Sequence, residues 1–126
     1  MISGSPRMAA DQPHVKVRDS GGIKVVEFTD RKILEELSIH EIGEELSRVV
    51  DGASSLKMLL SFQNVDHLSS AALGMLINLN KQVSAKGGQL KLSDISAPIF
   101  EVFKITRLNR LFNIYPTVAD AIADFA

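Results

Sequence analysis

Val15 and Val17 alternate with His14, Lys16 and Arg18, the period-two pattern of a strand with one buried face. Asp19-Ser20-Gly21-Gly22 is turn chemistry, and Ile23 to Phe28 is rich in β-branched residues, so the two segments predict a hairpin. Thr29 to Glu36 is charged and shows no clear period. Ser38-Ile39-His40-Glu41 then has capping-box spacing, and Ile42, Leu46, Val49 and Val50 continue at helical intervals up to Asp51-Gly52, where glycine suits a C-terminal cap. Met58-Leu59-Leu60, inside Lys57 to Phe62, is too short for a helix and predicts a central strand buried on both faces.

After a turn at Gln63-Asn64, Leu68 to Leu73 predicts the start of a second helix. Ser69 is placed to cap its first turn, and Leu68 and Leu73 have hydrophobic-staple spacing. Leu73, Leu76, Ile77 and Val83 form the expected buried stripe, and Gly87-Gly88 ends the helix. Leu90 and Leu92 alternate with Gln89 and Lys91, a further strand. Ser96-Ala97-Pro98 opens a third helix, with proline tolerated in the first turn and Ile99, Val102 and Phe103 as the apolar face. Leu108, Leu111 and Phe112 belong to a packed connector, Ile114-Tyr115 to an edge strand, and Thr117 caps a last helix carrying Val118, Ala121, Ile122 and Phe125. The order β-β-α-β-α-β-α-(β)-α implies an α/β domain whose sheet has parallel neighbours.

A chain of 126 residues fits one domain and can bury roughly two-thirds of the surface its unfolded form exposes. The net charge of −1 gives no overall attraction to nucleic acid or to an anionic membrane. The absence of cysteine removes disulfides, thiol catalysis and thiolate metal sites, and fits a reducing, cytoplasmic setting. No apolar run approaches the roughly 20 residues needed for membrane insertion. Residues 1–13 are polar and small and are expected to be a disordered tail or a cloning remnant, with the folded domain at 14–126.

The segment Val65-Asp66-His67-Leu68-Ser69-Ser70-Ala71-Ala72-Leu73-Gly74 carries the most chemistry. Two small hydroxyl residues stand where a strand hands over to a helix, and the free N–H groups and dipole there favour an anion. Ala71, Ala72 and Gly74 are small enough for another protein's backbone to come close. The plainer reading makes Ser69 an N-cap and Ser70 a solvated first-turn residue. Asp66, His67 and Ser70 invite a hydrolase reading, but adjacent residues on one short turn rarely form a triad, and there is no G-x-S-x-G elbow, so no enzyme is expected. His14, His40 and His67 lack metal-ligand spacing, and no glycine-rich phosphate loop is present, so no metal or cofactor is expected. Glu35, Glu36, Glu41, Glu44 and Glu45 cluster along the first helical region, as a solvated face or, in the sharper reading, as a contact for a basic partner.

The run from Lys57 to Phe125 resembles the STAS domain of bacterial anti-sigma factor antagonists. That family carries a strand, an Asp-Ser-Ser/Thr-Gly-Leu-Gly segment opening a helix, a Gly-Gly turn, a strand and a leucine-rich helix–loop. The matching stretches are Ser69-Ser70-Ala71-Ala72-Leu73-Gly74, Gly87-Gly88-Gln89-Leu90-Lys91-Leu92 and Arg107-Leu108-Asn109-Arg110-Leu111-Phe112. The resemblance implies a single STAS domain with a mixed four- to five-stranded sheet and about four helices, packed mainly on one face. It implies phosphorylation of Ser70, with Ser69 as a second hydroxyl. It also implies docking on His67, Leu68, Ser69, Ser70, Ala71, Leu73 and Gly74 by an anti-sigma factor that is often also the serine kinase. A serine phosphatase resets such a switch.

Three positions depart from the family pattern. Ser69 replaces the aspartate before the phosphorylated serine, Ser61 a frequent acidic residue of the central strand, and Ala72 the first glycine of Gly-Leu-Gly. These departures keep open a second reading, a non-phosphorylated scaffold subunit of a signalling complex or lipid transporter. A small-molecule or lipid carrier has no pocket signature in the sequence. Self-association is left open.

Overall fold

The computed structural model describes residues 14–52 and 56–125. The expected tail at 1–13 lies outside the described residues. Strands β1 (Val15–Ser20) and β2 (Ile23–Phe28) form the predicted antiparallel hairpin, closed by the pair Ser20 and Ile23. Gly21 and Gly22 make its two-residue turn at φ +58° and +87°. Both lie in the left-handed region that glycine enters without penalty.

A two-residue strand β3 (Lys32–Ile33) precedes helix α1 (Glu36–Asp51). Strand β4 (Lys57–Ser61) is followed by a second two-residue strand, β5 (His67–Leu68), and by helix α2 (Ser70–Ala85). Strand β6 (Gln89–Ser93), helix α3 (Ala97–Ile105), a 3₁₀ turn at Leu108–Arg110, strand β7 (Asn113–Tyr115) and helix α4 (Val118–Phe125) complete the chain. The main sheet has the order β1-β2-β4-β6-β7, with every pair parallel except the hairpin. β3 and β5 pair in parallel as a separate ribbon.

Helices α1, α2 and α3 cover one face of the sheet, where Ile42, Leu46, Leu76 and Phe103 pack with Val26, Met58, Leu60 and Leu92. The opposite face is narrower, and Ala121 and Phe125 of α4 seal it against Ile23, Val25 and Leu59. Covering both faces explains why Met58, Leu59 and Leu60 are all fully buried.

Several local expectations are corrected. α1 begins two residues before Ser38, with Glu35 at the cap position and no side-chain cap, so Ser38 and Glu41 form no capping box. The helix does stop at Asp51 with Gly52 as its C-cap, although at φ −79° the cap is not the left-handed one that needs glycine. Val17 is 44% exposed because β1 is an edge strand that the helices do not reach at that point. Val102 and Leu111 are also exposed, leaving Ile99 and Phe103 to anchor α3. Ile77 is half-buried, and Leu79 takes its expected place in the stripe of α2.

Lys91, a polar position in the alternation of β6, is only 4% exposed, because α4 covers it. Its Nζ donates to the Asp124 carboxylate at 2.8 Å and to the Asp124 carbonyl at 3.1 Å, 4.5 Å from the Phe125 ring centre. The Tyr115 hydroxyl donates to the same carboxylate. Burial alone would lower the lysine's pKa, but its bonds to Asp124 and Tyr115 outweigh that and hold it above the ordinary value. Gly88 shows a close approach: a Cβ there would lie 2.4 Å from the Leu56 carbonyl oxygen.

Candidate functional site

The mouth of α2 is assembled by the β3–β5 ribbon. Asp66 N–H and His67 N–H donate to the Arg31 carbonyl at 2.6 and 3.2 Å, and Ser69 N–H donates to the Ile33 carbonyl at 3.1 Å. The Arg31 guanidinium binds the Asp66 carboxylate at 2.8 Å. Behind the ribbon, Val65 is 2% exposed and Phe62 packs on Phe28 at 4.9 Å between ring centres. The segment before the second helix is thereby tied to the segment before the first.

Within this frame the two serines part. Ser69 has extended backbone, φ −87° and ψ 167°, and its Oγ accepts the Ala72 N–H at 3.2 Å. It is the N-cap the sequence predicts, and it is half-buried. Aspartate caps by the same bond, so the replacement of the family's aspartate by Ser69 preserves the local structure. Ser70 is the first helical residue and is exposed. With Ser69 N–H and Ala72 N–H satisfied, the N–H groups of Ser70 and Ala71 are the open donors of the first turn among the described residues.

His67 and Ala71 are also exposed, Leu68 is half-buried, and Gly74 is half-buried with nothing within 4 Å of an added Cβ. Leu73, grouped with the docking residues on resemblance, is 5% exposed and serves the core. Asp66 is engaged by Arg31, and among the described residues no hydrogen bond joins His67 to Ser70. Ser61 is buried at the end of β4 beside Ser93, and its Oγ has no partner among the described residues.

Two features escaped the sequence. A groove of about 780 Å³ runs between α1 and α2, and Ala71 and Gly74 line it while Ser70 does not. The glutamates of α1 do not form one face. Glu36 and Glu44 line the groove, whereas Glu41 and Glu45 turn to His14. His14 Nδ1 lies 2.8 Å from Asp30 Oδ2, Nε2 lies 2.9 Å from Glu41 Oε1, and its backbone N–H donates to Glu45 at 3.0 Å. Burial would lower the His14 pKa, but the bonds to Glu41 and Asp30 and the charges of Asp30 and Glu45 raise it above the ordinary value. Helical spacing alone separates these pairs but does not show that one meets α2 and the other His14. Among the described residues no cluster of histidine and acids could hold a metal, and no helix is long and apolar enough to cross a membrane.

A mixed five-stranded sheet, three helices on one face and one on the other, and a capped helix opening onto solvent define a small α/β domain built around an exposed helix mouth. The chain belongs to the STAS domain family, whose profile matches residues 14–121. It is similar to a Thermotoga neapolitana protein named as an anti-sigma factor antagonist, 34% identical over 68 residues, which are 54% of this chain and 60% of that one. The matches span between 57% and 65% of the length of such curated relatives. A STAS domain protein of Planctomyces limnophilus superposes with TM-score 0.80 at 19% identity, over 87% of this chain and 96% of that one. Phosphorylated SpoIIAA of Bacillus superposes with TM-score 0.68 at 16% identity, over 89% of this chain and 99% of that one.

Proposed function

We propose that this domain is an anti-sigma factor antagonist, a non-enzymatic switch acting in the cytoplasm. It binds an anti-sigma factor that is also a serine kinase, through His67, Leu68, Ser70, Ala71 and Gly74. Phosphorylation of Ser70 releases the partner, and a serine phosphatase restores binding. The observation that carries this reading is the division of labour between neighbouring hydroxyls: Ser69 is held in the cap while Ser70 stands exposed in the first turn. The relatives named as anti-sigma factor antagonists support the role.

The chemistry is sufficient. A phosphate brings about −1.5 to −2 charges, which the helix dipole tolerates within this domain. A partner seated over Ala71 and Gly74 would have to desolvate that charge. A hundredfold loss of affinity requires only about 2.7 kcal/mol.

The test is incubation with ATP and the anti-sigma kinase encoded nearest its gene, followed by mass spectrometry and binding measurements. The expected result is one phosphate on Ser70, absent in Ser70→Ala, and at least hundredfold weaker binding by Ser70→Asp. Equal, tight binding by wild type and Ser70→Asp would overturn the switch in favour of a non-phosphorylated scaffold.

A further inference from the structure

The groove between α1 and α2 begins at Ala71, beside Ser70, and its chemistry is specific. Its floor is apolar: Ile39 and Leu79 are 7% and 3% exposed, and Met75 packs half-buried between them and the solvent. Gly43 and Gly74 keep the walls low. A Cβ at Gly43 would meet the Met75 side chain at 3.4 Å, but one at Gly74 would meet nothing, so Gly74 opens the groove rather than relieving an internal contact.

The two walls differ in charge. On the α1 side stand Glu36, His40, Glu44 and Arg48, each four residues from the last and so stacked in one ridge. His40 and Glu44 lie 3.5 Å apart, both well exposed. On the α2 side Ala71, Asn78 and Gln82 carry no charge. From Glu36 to Arg48 the ridge rises about 18 Å, the length of about three helical turns. Glu36 and Glu44 are separated by about 12 Å along it.

We propose that this groove docks one amphipathic helix of a partner protein. An apolar stripe of that helix lies on Ile39, Met75 and Leu79. One flank carries cations seven or eight residues apart, opposite Glu36 and Glu44. The α2 wall makes no charge demand, so the ridge, acidic at Glu36 and Glu44 and basic at Arg48, sets the orientation of the docked helix. The groove shares Ala71 and Gly74 with the Ser70 docking surface, so this docking rests on that reading and adds to it the class of partner and the role of Glu36 and Glu44.

The test is titration of the isotope-labelled full chain with two synthetic 16-residue helices, followed by NMR. Both carry the same leucine stripe; one has lysines at the two flank positions and the other glutamates. The lysine helix is expected to shift the amides of Gly43, Gly74 and Met75 and to bind at least tenfold tighter than the glutamate helix. Gly74→Leu, which fills the groove from the α2 wall, should weaken binding at least tenfold. The double variant Glu36→Lys/Glu44→Lys, confined to the exposed rim, should invert the preference between the two helices, and it decides the matter if Gly74→Leu fails to fold. The peptide titration needs neither the kinase nor phosphate, so failure of the Ser70 switch and failure of this docking give different results. Equal binding of both helices, no binding, or shifts centred away from the groove would overturn the proposal. So would self-association abolished by Gly74→Leu, which would assign the groove to a second copy. Tighter peptide binding after removal of residues 1–13 would assign it to the chain's own terminus and overturn it equally.

Discussion

Ser69 and Ser70 are neighbours in sequence with opposite structural duties, and substitution should separate them. Ser69→Ala removes the oxygen that accepts the Ala72 N–H at 3.2 Å. Loss of an N-cap hydroxyl costs about 1 kcal/mol, within a range of about 0.5–2. A bond near the long end of the N–H···O range argues for the middle of that interval rather than its top. For a chain of 126 residues, an unfolding entropy of about 2.1 cal/mol/K per residue converts this to a Tm lower by about 4 °C. Ser69→Gly should lose only a few tenths of a kcal/mol, and Ser69→Asp should match or exceed wild type, because a carboxylate both accepts the bond and complements the dipole. Ser70→Ala removes an exposed hydroxyl and should change stability by less than about 0.5 kcal/mol. Thermal and urea unfolding of the four variants gives the ranking directly. If Ser70→Ala loses as much as Ser69→Ala, or Ser69→Asp falls with Ser69→Ala, the assignment of cap and free hydroxyl is wrong.

Gly88→Ala forces a Cβ to within 2.4 Å of a backbone oxygen, and should cost about 3 kcal/mol in urea unfolding, whereas Gly74→Ala meets open space and should gain from better helix propensity. Lys91→Met replaces a buried ammonium by an apolar side chain of similar length and leaves Asp124 exposed to solvent, so it should cost less than breaking the pair from the Asp124 side. Asp124→Asn leaves that ammonium without its counter-charge and should lower Tm; a lower Tm for Lys91→Met than for Asp124→Asn would refute this account of the pair. For His14 the folded pKa is raised, so its stabilisation is complete below about 6.5 and is lost as pH rises through the folded value. Unfolding free energy from about pH 6 to about pH 8.5 should therefore decline in wild type and lose that component in His14→Gln.

The hairpin, the central strand and the Ser69 cap were legible because each rests on a local signal: Gly-Gly between β-branched runs, an unbroken apolar triplet, and a serine three residues before an N–H it can reach. Features set by distant residues were not. Lys91 looked outward because alternation assumes one solvated face, and only the arrival of α4 some thirty residues later buries it. β3 and β5 have two residues each, too few to show a period, and exist because the segments before α1 and α2 meet. The same meeting sets Glu36 and Glu44 beside Gly74, while His14 draws Glu41 and Glu45 the other way. Helical spacing separates the two pairs of acids, but which pair meets α2 and which meets His14 is set by distant residues.

The rigidity of the helix mouth decides what kind of signal it can transmit. The exposed Arg31–Asp66 pair contributes little by itself, since surface ion pairs are worth about 0–1 kcal/mol. The restraint comes from the backbone bonds of Asp66, His67 and Ser69 to Arg31 and Ile33, and from Val65 and Phe62 packed beneath them. Shifting α2 would break that ribbon and unseat Leu73 and Leu76 together, because close-packed cores resist graded displacement. Charge added at Ser70 therefore acts where it is placed, on whatever touches the first turn. The groove along the flank of α2 begins at Ala71, the next residue, so its near end feels a charge placed there as well.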